Sequence, residues 1–131
     1  MNKKEMILNA IEAMGYRAKV DDDGDIFFRY EMKNMYAMVG DEAEPYVVVL
    51  MPQFLDIDEG EETLNLAACN KLTREVKMAK VYVDFNLKTV SASCEFFYDD
   101  EASLKDSLSH SVEILALIRS TYLKVKEELS E

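Results

Sequence analysis

The sequence predicts an α+β fold: an antiparallel sheet of five or six strands with helices packed on it, in the order α-β-β-β(β)-α-β-β-α. Three observations predict it. Apolar residues recur every three or four positions in three segments, as on an amphipathic helix, and every second position between them, as in a strand. The strand-like segments are separated by short turns, which join antiparallel neighbours, whereas parallel strands need long crossovers. The 131 residues are 49% hydrophobic and 31% charged, enough apolar material for one core. A single domain over residues 1–131 is expected, with no repeat, low-complexity tract or linker.

The first helix is expected over 3–14, where Ile7, Ala10, Ile11 and Met14 share a face. Gly15 stands where helices commonly end in a left-handed residue, and Tyr16 can pack back. Residues 17–20 read as a short strand, Asp22-Asp23-Gly24 as a hairpin turn and 25–32 as a longer strand. Lys33-Asn34 is a second tight connection, into 35–39, and Gly40 to Pro45 a third. The run 46–51 is almost continuously apolar, as expected of a central strand covered on both faces. Pro52 weakens the strand beyond it, and an acidic connection leads to Gly60.

Asp58 and Glu61 have the spacing of an acidic N-cap and its N3 partner, placing the second helix start there. Leu64, Ala68, Leu72, Val76 and Ala79 mark its apolar face. Segments 81–87 and 89–98 alternate and form a hairpin through a turn near residues 86–88. After Asp99-Asp100-Glu101 a long helix is expected over about 103–129. At 1.5 Å per residue it extends roughly 40 Å, against a radius of gyration of about 14 Å for a domain of this size. Leu108, Leu115, Tyr122 and Leu129 repeat along it, with Leu104, Ile118 and Val125 in companion positions. Ile114, Leu117 and Leu123 lie outside that stripe and widen the apolar surface. The widened face either covers the sheet or makes a subunit contact.

Charge narrows the partners. The formal net charge is −11, from 26 acidic and 15 basic residues. Nucleic acid would be repelled without a concentrated basic patch, and none is present. No apolar run approaches the roughly 18 residues that span a bilayer, and the N-terminal segment lacks a signal peptide's continuous apolar stretch. Cys69 and Cys94 show no CxxC or Cys/His spacing and read as buried, reduced thiols. A cytoplasmic location is expected.

No catalytic, cofactor or metal constellation emerges. His110 is the sole histidine; Asp106 lies one turn back, but helix neighbours at i±1 point elsewhere, leaving no activated nucleophile. An ordinary surface or half-buried histidine suffices. Centring a calcium loop on Gly24 or Gly60 puts Lys19 or Leu55 where the first carboxylate is required, so the aspartates read as turn and cap residues. One histidine and two distant cysteines cannot complete a zinc site. Nothing selects one carboxylate pair for acid–base work. Lys71, Arg74, Lys77 and Lys80 line the second helix's polar side, as a solvated face with cations near the helix C-terminus would. Asn70, a mediocre helix former, is the candidate structural polar residue, expected as a satisfied core amide tying helix to sheet.

The segment Ala67-Ala68-Cys69-Asn70-Lys71-Leu72-Thr73, followed by Ala79-Lys80-Val81-Tyr82-Val83-Asp84, resembles the second helix and following strand of the YbjN-domain family. The Asp-Asp-Gly-Asp-Ile-Phe-Phe stretch and the element order are similar too. Thr73 departs, standing where the family usually has the second asparagine of its helix signature. The resemblance implies a type III secretion chaperone-like fold, with helices packed on an antiparallel sheet, and regulatory or chaperone-like binding in a bacterial cytoplasm.

The expected function is therefore non-catalytic: a binding module, with a possible homodimer, that takes a protein or peptide on its sheet or along the last helix. Met32, Met35 and Met38, in adjacent strands, join Ile114, Leu117 and Leu123 as the candidate interaction surface, since flexible thioethers adapt to varied partners. The alternative is an intracellular small-molecule sensor or enzyme with a pocket between sheet and helices.

Overall fold

A computed structural model describes every residue of the chain except Phe85. Helix α1 (Lys3–Ala13) precedes strands β1 (Ala18–Val20), β2 (Ile26–Tyr30), β3 (Lys33–Met38) and β4 (Tyr46–Asp56). Helix α2 (Glu62–Glu75), strands β5 (Ala79–Val83) and β6 (Thr89–Phe97) and helix α3 (Glu101–Ser130) follow. The α+β expectation holds: six strands form one antiparallel sheet in the order β1-β2-β3-β4-β6-β5. After β4, helix α2 carries the chain to the far edge; β5 lies there, and β6 returns to pair with β4.

Local chemistry sets the helix ends. Asn2 and Glu5 form a reciprocal capping box at the start of α1. At its end Gly15, at φ 91°, allows the Gly15 N–H to bond the Glu12 carbonyl and the Tyr16 N–H the Ile11 carbonyl, a Schellman closure. The Tyr16 ring then packs on Tyr30, centroids 4.7 Å apart. Asp100 caps α3 through the Ser103 N–H, and the helix runs 30 residues, slightly beyond the expected span at both ends.

Five expected boundaries are corrected. The β2–β3 turn is Glu31-Met32, at φ 48° and 67°, rather than Lys33-Asn34, which opens β3. A two-residue hairpin loop of this kind needs positive φ at both central positions, and Tyr30↔Lys33 closes the ladder. Pro52 does not end β4. The ladder to β6 shifts between Met51 and Leu55, and Gln53 turns to φ 48° and donates its N–H to Ser91 Oγ at 2.9 Å, so the proline sits in a bulge. Helix α2 starts at Glu62 without a side-chain cap, because Asp58 accepts from the Glu61 N–H in a preceding turn. It ends at Glu75, and Ala79 belongs to β5. The strand expected over 81–87 ends at Val83; its Phe85 lies outside the described residues.

One continuous cluster fills the space between helices and sheet. Helix α3 supplies Leu104, Leu108, Val112, Leu115, Ile118, Tyr122 and Val125, all buried. Its expected stripe holds except at Leu129, which is 41% exposed beyond the sheet. It packs between α1 and α2 and over β4 and β6. The strands contribute alternate residues, among them Phe28, Met35, Val49, Val81 and Cys94. Helices cover that one face of the sheet.

The uncovered face of the sheet as candidate functional site

Strand alternation forces the remaining strand residues to the opposite face. The expectation that β4 is covered on both faces is therefore corrected: Val47, Val49 and Met51 are buried in the core, while Tyr46, Val48 and Leu50 are only half-buried on the other side. Register lines up Lys19, Phe27, Tyr36, Leu50, Ser93 and Lys80 as one row across all six strands. A second row joins Met38, Val48 and Glu95, and a third Tyr46 and Phe97. Phe27 packs on Tyr36 at 5.2 Å and Tyr46 on Phe97 at 4.8 Å between centroids. Phe97 is 72% exposed, and Tyr82, opposite Ser91, is also exposed. Ser91 and Ser93 are buried, small side chains sunk between longer neighbours.

The polar centre of this face is Glu95. Its carboxylate accepts from Lys80 Nζ at 2.6 Å and from the Tyr46 hydroxyl at 2.5 Å. The Lys80 bond, and after it the Tyr46 bond, hold Glu95 below its ordinary pKa; the same contact pushes Tyr46 up to about 12. The face therefore offers aromatic and aliphatic surface around one satisfied ion pair.

The expected interaction residues scatter. Met38 lies on the uncovered face, Met32 stands 87% exposed at the hairpin tip, and Met35 is buried in the core, which removes it from any contact surface. Leu117 is 65% and Leu123 38% exposed on the outer side of α3, whereas Ile114 packs against the core. Asn70 is corrected: it faces solvent, and the buried amide of α2 is Asn65. Asn65 Oδ1 accepts from the Tyr122 hydroxyl at 2.5 Å, and its Nδ2 donates to the Glu61 carbonyl at 2.8 Å. The helical period places residues 65, 68, 69 and 72 inward, so Asn70 points away. The basic stripe also divides: Lys71 pairs with Glu75 at 3.5 Å, but Lys77 follows the helix and Lys80 lies on β5.

The remaining polar candidates have structural work. His110 and Asp106 make an exposed pair at 3.8 Å. Asp21 Oδ1 accepts from the Asp23 and Asp25 N–H groups, and Asp25 Oδ1 from the Val39 N–H. Burial pushes both Cys69 and Cys94 up to about 11, keeping them as thiols. Lys3 is buried, with Nζ donating to the Val39 and Asp41 carbonyls, and desolvation lowers its pKa despite three nearby carboxylates. Among the described residues no three His, Cys, Asp or Glu side chains converge as a metal site, and no helix is long and apolar enough to cross a membrane.

The missed residues are aromatic and aliphatic: Phe27, Tyr36, Leu50, Tyr82 and Phe97. Their signal is apolar character at both parities of a strand, which for Leu50 is the reading of 46–51 as covered on both faces.

This arrangement defines a class: an antiparallel sheet with helices on one face and the other face open. No protein-family model matches the sequence, and no curated protein matches it. Among solved structures the fold is similar to the crystal structure of YbjN, a candidate transcription regulator from E. coli. The TM-score is 0.67 at 8% identity, covering 95% of this chain and 91% of that one. The chain has the YbjN fold, as the resemblance implied, and at that identity the likeness is one of fold.

Proposed function

We propose that this chain is a non-catalytic binding module, chaperone-like or regulatory, which receives a segment of another protein on the uncovered face of its sheet. One observation carries the reading: rows of aromatic and aliphatic side chains cross the sheet with no helix over them. Contiguous apolar surface on a soluble domain marks contact sites. Aromatic residues also dominate the centres of such contacts. The candidate-regulator description of YbjN points the same way. The pocket expected by the small-molecule reading gains no support, because buried side chains from Ile7 to Val125 occupy the space between sheet and helices.

Affinity capture under mild cross-linking, comparing the native chain with a Tyr36→Glu/Phe97→Glu variant, tests this. Both positions lie outside the core, so the variant should fold. It should lose a protein that the native chain enriches. Identical captured sets would remove the reading.

A further inference from the structure

The β3–β4 ladder joins Tyr36↔Leu50, Ala37↔Val49 and Met38↔Val48 and stops there, although β3 begins at Lys33 and β4 continues to Asp56. Beyond Tyr36 and Leu50 the strands part, where the Pro52–Gln53 bulge redirects β4. The parting opens a cleft of about 240 Å³ at the end of the sheet, with Asn34 on the uncovered side by strand alternation and Met51, Phe54 and Arg119 of α3 on the helix side. Lys33 and Arg119 contribute cations, Asn34 and Gln53 amides, and Met32 and Phe54 apolar walls. No carboxylate lines it. In a chain of net charge −11 this composition stands apart. Each of four other clefts carries acids: Asp25 and Glu42, Asp84, Glu59 and Glu62, or Asp21 and Asp22.

Two properties choose the occupant. Two cations and two amides lining one cleft suit a carboxylate, and Arg binds one in a fixed fork. The volume, about 240 Å³, lies below the roughly 300–1,000 Å³ of pockets for drug-sized molecules, so it suits one residue rather than a whole cofactor. We propose that the cleft takes the carboxyl-terminal residue of the polypeptide bound on the adjoining face, which rests on the function proposed above. Arg119 and Lys33 face the terminal carboxylate. Asn34, Gln53 and the strand edges that leave the ladder meet the peptide backbone. Met32 and Phe54 flank an apolar last side chain. This is capture of a chain end beside a sheet, with main-chain groups adding affinity and the pocket adding selectivity.

Two degenerate hexapeptide libraries, identical except for a free carboxylate or a carboxamide at the C-terminus, are passed over the immobilised protein and the retained peptides read by mass spectrometry. The free-acid library should be retained at least about tenfold better, since an unpaired cation loses its partner in the amide, with apolar residues enriched at the last position. Arg119→Gln, at an exposed position, should erase that preference while leaving the melting temperature unchanged. Equal retention of both libraries would overturn the cleft assignment and leave the sheet-face reading standing. A preference that survives in Arg119→Gln would place the carboxylate elsewhere and overturn it too. Retention of neither library would count against both.

Discussion

Tyr122 shows how one hydroxyl organises the helical layer. It is fully buried on α3, packs edge-on against Phe54 at 5.7 Å, and donates to Asn65 of α2. Asn65 is held in turn by the Glu61 carbonyl, and the Glu61 carboxylate pairs with Lys126 of α3 at 3.0 Å. Tyr122→Phe keeps the ring and removes the donor, leaving a buried amide oxygen unpaired. A loss of about 1–3 kcal/mol is expected, read as a lower urea midpoint at unchanged slope. On the other face, Glu95 gives the fold a pH signature. Its folded pKa lies below the ordinary 4.5, so its stabilisation is complete above that value and is lost as pH falls through the folded value. Tyr46, raised to about 12, contributes on the alkaline side, its stabilisation being lost as pH rises from 10 through that value. Glu95→Gln should flatten the acid limb of a stability–pH curve; a native chain and variant with parallel acid limbs would contradict this.

At the scale of elements, a side chain of α2 guards edge strand β5. Thr73 Oγ1 on α2 accepts from the Val81 N–H at 2.8 Å and donates to the Val81 carbonyl at 3.0 Å. One side chain thus satisfies both outward groups at the middle of edge strand β5, a guard against pairing with another chain. The hydroxyl can do this because it is donor and acceptor at once. An amide also carries both functions. Thr73→Val should cost about 1–2 kcal/mol and promote concentration-dependent association, whereas Thr73→Asn should retain both properties; gel filtration and denaturant titration separate the two. Helix α2 ends earlier than its apolar spacing predicts, for a local reason. Apolar spacing ran on through Val76 and Ala79, but the chain extends at Val76 and reverses at Met78, φ 67°, to enter β5.

For the molecule as a whole, a long central helix divides the surface into an outer helical side and an open sheet side. Leu117 and Leu123 on the outer side of α3 are the remaining candidates for pairing two copies. If that surface pairs copies, light scattering should give a dimer for the native chain and a monomer for Leu117→Glu; a native monomer would leave the sheet face as the contact surface.

The α+β class, the order of helices and strands and most of the core follow from the sequence alone, because the 3.6 and 2.0 periods are set by backbone geometry within each segment. Glycine positions are local too, and Gly15 ends α1 as expected. Tertiary structure alone decided which apolar face lacks a cover: Tyr46, Val48 and Leu50 look the same in sequence whether helices lie over them or not. It also decided that Asn65 rather than Asn70 is the buried amide, that Met35 is core while Met38 is surface, and that β3 and β4 part beside Arg119. Each of these depends on what lies across space from a residue. Hydrophobicity along a chain records the wish for burial, and only the packed arrangement of three helices on six strands shows where it goes unmet.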